Sequence, residues 1–116
     1  MKTIDRNDFR PYFQGDILIM RVPPPQVPAE AGTLKTTIVA HSETGHHHVA
    51  VGADVLGGLD PMVMFLRAKD NGHIDIEHKR EWDTHETYRF FADPGDTFIV
   101  KRQRERSPWG DQRVED

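Results

Sequence analysis

Eight residues near the middle of the chain, His41-Ser42-Glu43-Thr44-Gly45-His46-His47-His48, hold four of its seven histidines and one carboxylate. Imidazole nitrogen beside carboxylate oxygen is the donor set of a metal site. The chain has no cysteine, so thiolate ligands and disulfides are excluded. Side chains two apart on an extended segment leave the same face, about 6.5–7 Å apart along the strand. His46 and His48 are such a pair, and their imidazoles can converge on one ion at metal–nitrogen distances of about 2.0–2.1 Å. His47 points the other way. A third ligand must come from elsewhere. His78 is the first candidate, because it closes an alternating stretch on the same face as Ile74 and Ile76. His41 and Glu43 across the turn, and His85 further on, are the alternatives. Three imidazoles with water suit Zn, Ni, Fe or Mn, and a carboxylate in the set favours Fe(II) or Mn(II). Hydrolysis at such an ion would need a base for its water, for which Glu43 or Glu77 is available. No nucleophile is identifiable: Ser42 stands among histidines without an oxyanion hole or a nucleophile elbow.

The opposite reading of the same stretch is polar decoration. Val49 and Val51 share a face with His47. If those valines face the core, His46 and His48 face water, unless a bulge at Gly45 switches the parity.

Positioning these side chains requires strands. Ile17-Leu18-Ile19-Met20-Arg21-Val22 is a compact apolar strand that ends at Pro23-Pro24-Pro25, where proline removes ladder donors and leaves a stiff surface loop. Thr36 to His41 and His46 to Val51 read as the arms of a β-hairpin around Ser42 to Gly45. Gly52 to Pro61 reads as a loop. Met62 to Lys69 and His73 to His78 are strands separated by Asp70-Asn71-Gly72, the chain's strongest signal for a tight type I′ hairpin. Glu86 to Phe91 and Thr97 to Arg102 are the last two, separated by the turn Ala92-Asp93-Pro94-Gly95-Asp96. No segment shows a sustained helical period. Five to seven short strands joined by Gly, Pro and Asn turns predict an all-β fold, a small antiparallel barrel or sandwich.

The chain's 116 residues predict one domain over 1–116, with 1–15 as an N-terminal arm and 107–116 as a charged C-terminal tail. Only 36% of residues are apolar, so the core is small or is completed by a second copy, and a homo-oligomer is expected. Formal charge is −4 with both signs abundant, which argues against a nucleic-acid partner. The basic run Lys101 to Arg106 fits a solvated edge strand. There is no signal-peptide h-region and no apolar run of bilayer length, so a soluble, cytoplasmic protein is expected.

The His-x-His strand after a glycine turn, the later histidine and the Pro-Gly-Asp turn resemble a degenerate cupin pattern. That resemblance implies a small β-barrel whose metal is held by His46 and His48 with His78 or His85. The cupin glutamate has no counterpart here; only Asp54 stands near its place. The chain is also similar to small bacterial and phage-encoded proteins of uncharacterised activity. The shared features are Gln14-Gly15-Asp16 ahead of a strand, Glu43-x-Thr-Gly-His-x-His48, Glu77-His78, and a strand ending Arg102-Gln103-Arg104-Glu105. The expected function is binding of a divalent transition metal through His46, His48 and His78. The alternative is a non-enzymatic phage or prophage structural or interaction module, with a phage or host protein partner, whose histidines are not ligands.

Overall fold

The computed structural model describes residues 1–36, 38–41, 47–57, 60, 62–79, 86–102, 104–107 and 110–113, the last two stretches and Ala40, His41 and Lys79 by backbone alone. Among them are thirteen strands: β1 Lys2–Ile4, β2 Tyr12–Gln14, β3 Ile17–Val22, β4 Gly32–Leu34, β5 Ile38–His41, β6 His47–Val51, β7 Ala53–Gly57, β8 Val63–Ala68, β9 His73–Lys79, β10 Tyr88–Phe91, β11 Thr97–Arg102, β12 Arg104–Ser107 and β13 Gly110–Arg113. One 3-10 turn, Pro24–Gln26, is the sole helical element described. A five-stranded sheet runs β1-β10-β9-β6-β5, a six-stranded sheet runs β2-β3-β11-β8-β7-β4, and β12 and β13 form a separate pair. The fold is all-β, with the two large sheets in a sandwich-like arrangement.

The two sheets are halves of the same bent ribbons. β6 and β7 are one run interrupted at Gly52, β8 continues into β9 through 69–72, and β10 continues into β11 through 92–96. β6 pairs with β9 in one sheet, and their continuations β7 and β8 pair in the other. β9 pairs with β10, and β8 with β11, in the same way. Glycines make the corners: Gly52, Gly72 and Gly95 have φ of 90, 80 and 89°. At Asp93-Pro94-Gly95-Asp96 proline precedes a positive-φ glycine, the pattern of a type II turn, and Asp96 N–H donates to Asp93 O at 3.0 Å.

Asp70-Asn71-Gly72 therefore does not close a hairpin. β8 pairs with β7 and β11, and β9 with β6 and β10. A type I′ turn needs positive φ at both central residues, and no residue other than glycine has positive φ among those described. The glycine is used to pass from one sheet to the other. Residues 53–57, expected within a loop, form β7, and its Val55 and Leu56 are buried. The 1–15 segment carries β1, parallel to β10 with Ile4 buried, and β2, which pairs with β3. Tyr12 packs on the core, whereas Phe9 and Phe13 are 52% and 54% exposed. Beyond Arg102 the described backbone forms the β12–β13 hairpin.

Period-2 alternation places the core between the sheets. The five-stranded sheet contributes Ile4, Val39, Ala50, Ile74, Ile76 and Phe90, and the six-stranded sheet Ile17, Ile19, Val55, Leu66, Phe98 and Val100. Phe90 meets Phe98 edge to face at 5.3 Å. On the outer face of the five-stranded sheet, Arg89 donates two hydrogen bonds of 2.8 Å to the Asp75 carboxylate. That contact holds Asp75 below the usual carboxylate range, against the opposing effect of partial burial.

Candidate metal centre between the sheets

His48 on β6 and His78 on β9 are register partners, and both are completely buried. Alternation explains why. His48 and Ala50 face inward, while His47 and Val49 are half-buried and Val51 is exposed on the other face. The valines are thus outside and the histidine inside, with no parity switch needed within 47–51. On β9, Ile74, Ile76 and His78 form the inward row, and His73, Asp75 and Glu77 the outer one. The two imidazoles stack with centroids 4.1 Å apart and planes 17° from parallel. They lie at the ends of β6 and β9 farthest from the corners.

The opposite sheet supplies the partners. Gly15 takes φ 57° between β2 and β3, and Gln14 and Asp16 on either side of it are both buried. Gln14 Nε2 donates to Ile76 O at 2.9 Å and to Glu86 O at 3.0 Å, which ties the six-stranded sheet to the β9–β10 side. Its Oε1 lies 3.0 Å from His48 Nδ1. Asp16 Oδ1 lies 3.0 Å from His48 Nε2. The other Asp16 oxygen faces Arg102 Nη2 at 3.4 Å. A buried carboxylate is tolerated in such a setting because cationic and hydrogen-bonding groups surround it.

The nitrogen lone pairs that bind a metal lie in the imidazole plane. Two nearly parallel stacked rings direct them side by side, not at one point, so the stacked pair as it stands does not share an ion. Among the described residues no three His, Asp or Glu side chains are grouped so as to hold one. Of the expected ligands, the structure brings His48 and His78 together. His46, Glu43 and His85 lie outside the described residues, and His41 is described by backbone alone, paired with His47. Glu77 is on the outer row of β9. Asp54 lies on β7 across from Arg67, 3.7 Å from Lys69 and past the Gly52 corner from His48.

Gln14, Asp16 and Arg102 are the residues that sequence reasoning passed over as site members. Their signal was present in Gln14-Gly15-Asp16, two polar side chains flanking a glycine immediately before a buried strand. Spacing along the chain gives no hint that Gln14 and Asp16 meet a histidine more than thirty positions away, or that Arg102 meets Asp16. Among the described residues no helix is long and apolar enough to cross a membrane. No family model matches the chain, and neither a curated protein nor a solved structure matches it.

Proposed function

We propose that the protein binds one divalent transition metal ion between its sheets, at the end opposite the corners, through His48, His78 and His46. The observation that carries this reading is two completely buried imidazoles and a buried carboxylate gathered at one place in a small domain. Buried imidazole and carboxylate groups are matched by hydrogen bonds, opposite charge or a metal ion, and coordination is one of those matches. His46 enters from the His-x-His pattern of the sequence alone and lies outside the described residues. His78 joins by rotating out of the stack. Zn, Ni, Fe and Mn all accept this nitrogen and oxygen set. The continuity of strand pairing around three corners supports reading the sandwich as a small cupin-like barrel with His48 and His78 inside. Exposed Phe9 and Phe13 support a homo-oligomer in which a second copy covers them, and a cysteine-free chain fits the cytoplasm.

The test is metal analysis of untagged protein purified without added metal, followed by thermal shift on titration with Zn, Ni, Mn and Fe. About one equivalent per chain is expected, lost in His48→Ala and His78→Ala variants. No bound metal and no thermal shift in the wild type would overturn the reading.

One observation favours a second reading: both ring nitrogens of His48 already have oxygen neighbours at 3.0 Å. An imidazolium held between Gln14 and Asp16 would clamp the sheets without metal, as in a structural or interaction module of phage or prophage type. In that case His46→Ala leaves folding and assembly unchanged, and metal content is nil from the start.

A further inference from the structure

We infer that Gln14 fixes which nitrogen of His48 is available for ligation, and that Asp16 is the carboxylate ligand beside it. The inference rests on the metal reading above and adds two residues from the opposite sheet. The Gln14 amide nitrogen has two hydrogens, and both are used, toward Ile76 O at 2.9 Å and Glu86 O at 3.0 Å. Flipping the amide would set its oxygen against two carbonyl oxygens, so the orientation is determined by the backbone around it. Its Oε1 therefore faces His48 Nδ1 at 3.0 Å, and an amide oxygen can only accept. Nδ1 carries the hydrogen. In the neutral ring the lone pair is then on Nε2.

Nε2 faces Asp16 Oδ1 at 3.0 Å. A bare nitrogen and an ionised carboxylate oxygen are both acceptors, so something positive must lie between or beside them. A proton would serve between them, and a metal ion beside them. Two ligand atoms at right angles on an ion with bonds of about 2.1 Å are about 3.0 Å apart. The pair is already spaced as one edge of a coordination shell. Arg102 holds the second Asp16 oxygen at 3.4 Å and leaves Oδ1 turned toward His48. A ligating histidine ordinarily donates its other N–H to an oxygen acceptor that fixes the ring, and Gln14 is a positioning residue of that kind. The ion would link β6 of one sheet to the β2–β3 turn of the other.

Two measurements separate the parts. Long-range 1H–15N spectra of metal-free wild-type protein report which His48 nitrogens carry protons. Nδ1 is expected to be protonated, with that signature weakened in Gln14→Leu, which removes the acceptor oxygen. A wild-type spectrum with Nδ1 bare and Nε2 protonated would overturn the role of Gln14, with no variant needed. For Asp16, titration with Zn and Co(II) compares wild type with Asp16→Asn, folding being checked by circular dichroism. Affinity is expected to fall at least about tenfold. Equal affinity in the folded variant overturns Asp16 as a ligand and leaves the metal reading standing. A wild type that binds neither ion overturns the metal reading and the ligand role together, while the His48 spectrum still decides on Gln14.

Discussion

Asp75 and Arg89 face each other across β9 and β10, and their two-pronged contact of 2.8 Å per prong is a well-formed ion pair on the outer face of the five-stranded sheet. Because the folded carboxyl titrates below its unfolded counterpart, the stabilisation is present above the unfolded pKa. It is lost as pH falls through the folded value. We expect Asp75→Asn to destabilise the protein at pH 7 by less than about 1 kcal/mol, since the pair is partly solvated. The gap should shrink between pH 7 and strongly acid pH, below the lowered folded value, where the wild-type carboxyl is also neutral. Urea denaturation of both proteins at the two pH values measures it, and an undiminished gap in acid would contradict the assignment. At this scale the alternation of Ile74, Ile76 and His78 was legible, because a strand's period is local. Gln14 was not, because its partners are backbone carbonyls of Ile76 and Glu86, far away in sequence.

Elements are decided by their corners. A Cβ at Gly52 would stand 2.8 Å from His73 O, a backbone atom that cannot move aside cheaply, in a residue with φ of 90°. Gly72 has φ of 80°, yet a Cβ there would meet nothing within 4 Å. Left-handed backbone costs an L-residue about 1–2 kcal/mol, so Gly72→Ala should lose about that much. Gly52→Ala should lose about 2–4 kcal/mol, since strain and close approach combine. Equilibrium unfolding of the two variants gives the order directly, and a larger loss at Gly72 would refute this account of the corner. The same pair explains a missed assignment. Asn71-Gly72 signals a change of chain direction, and such a signal serves a hairpin or an inter-sheet corner equally well. Which strand pairs with which is settled elsewhere in the sheets. β7 escaped notice for a related reason: glycines at both ends and Asp54 within it imitate a loop.

For the whole molecule, the all-β class and a barrel or sandwich as its form followed from short strands without any helical period, and the order of strands in the two sheets did not. Lys2 pairs with Tyr88, and Ile17 with Arg102, contacts that no window of sequence contains. Such distant pairing must be assembled against loop-closure entropy before it is rewarded. We expect refolding on a millisecond-to-second scale, as in other β proteins dominated by non-local pairs, measured by stopped-flow fluorescence on dilution from urea. Completion within microseconds would mean that local contacts dominate the transition state, contrary to this topology.

The inward positions along β6 are His48 and Ala50, and along β7 they are Ala53 and Val55. Even numbers give way to odd at Gly52, so the corner absorbs one step of the in-and-out count. A chain lacking that residue would carry the same side chains in unbroken alternation, which is the pattern of a straight, flat strand. Flat strands have long free edges that recruit other chains. That glycine is therefore one of the three corners that give the molecule an interior, where His48 is enclosed, in place of a ribbon with two faces and nothing to enclose.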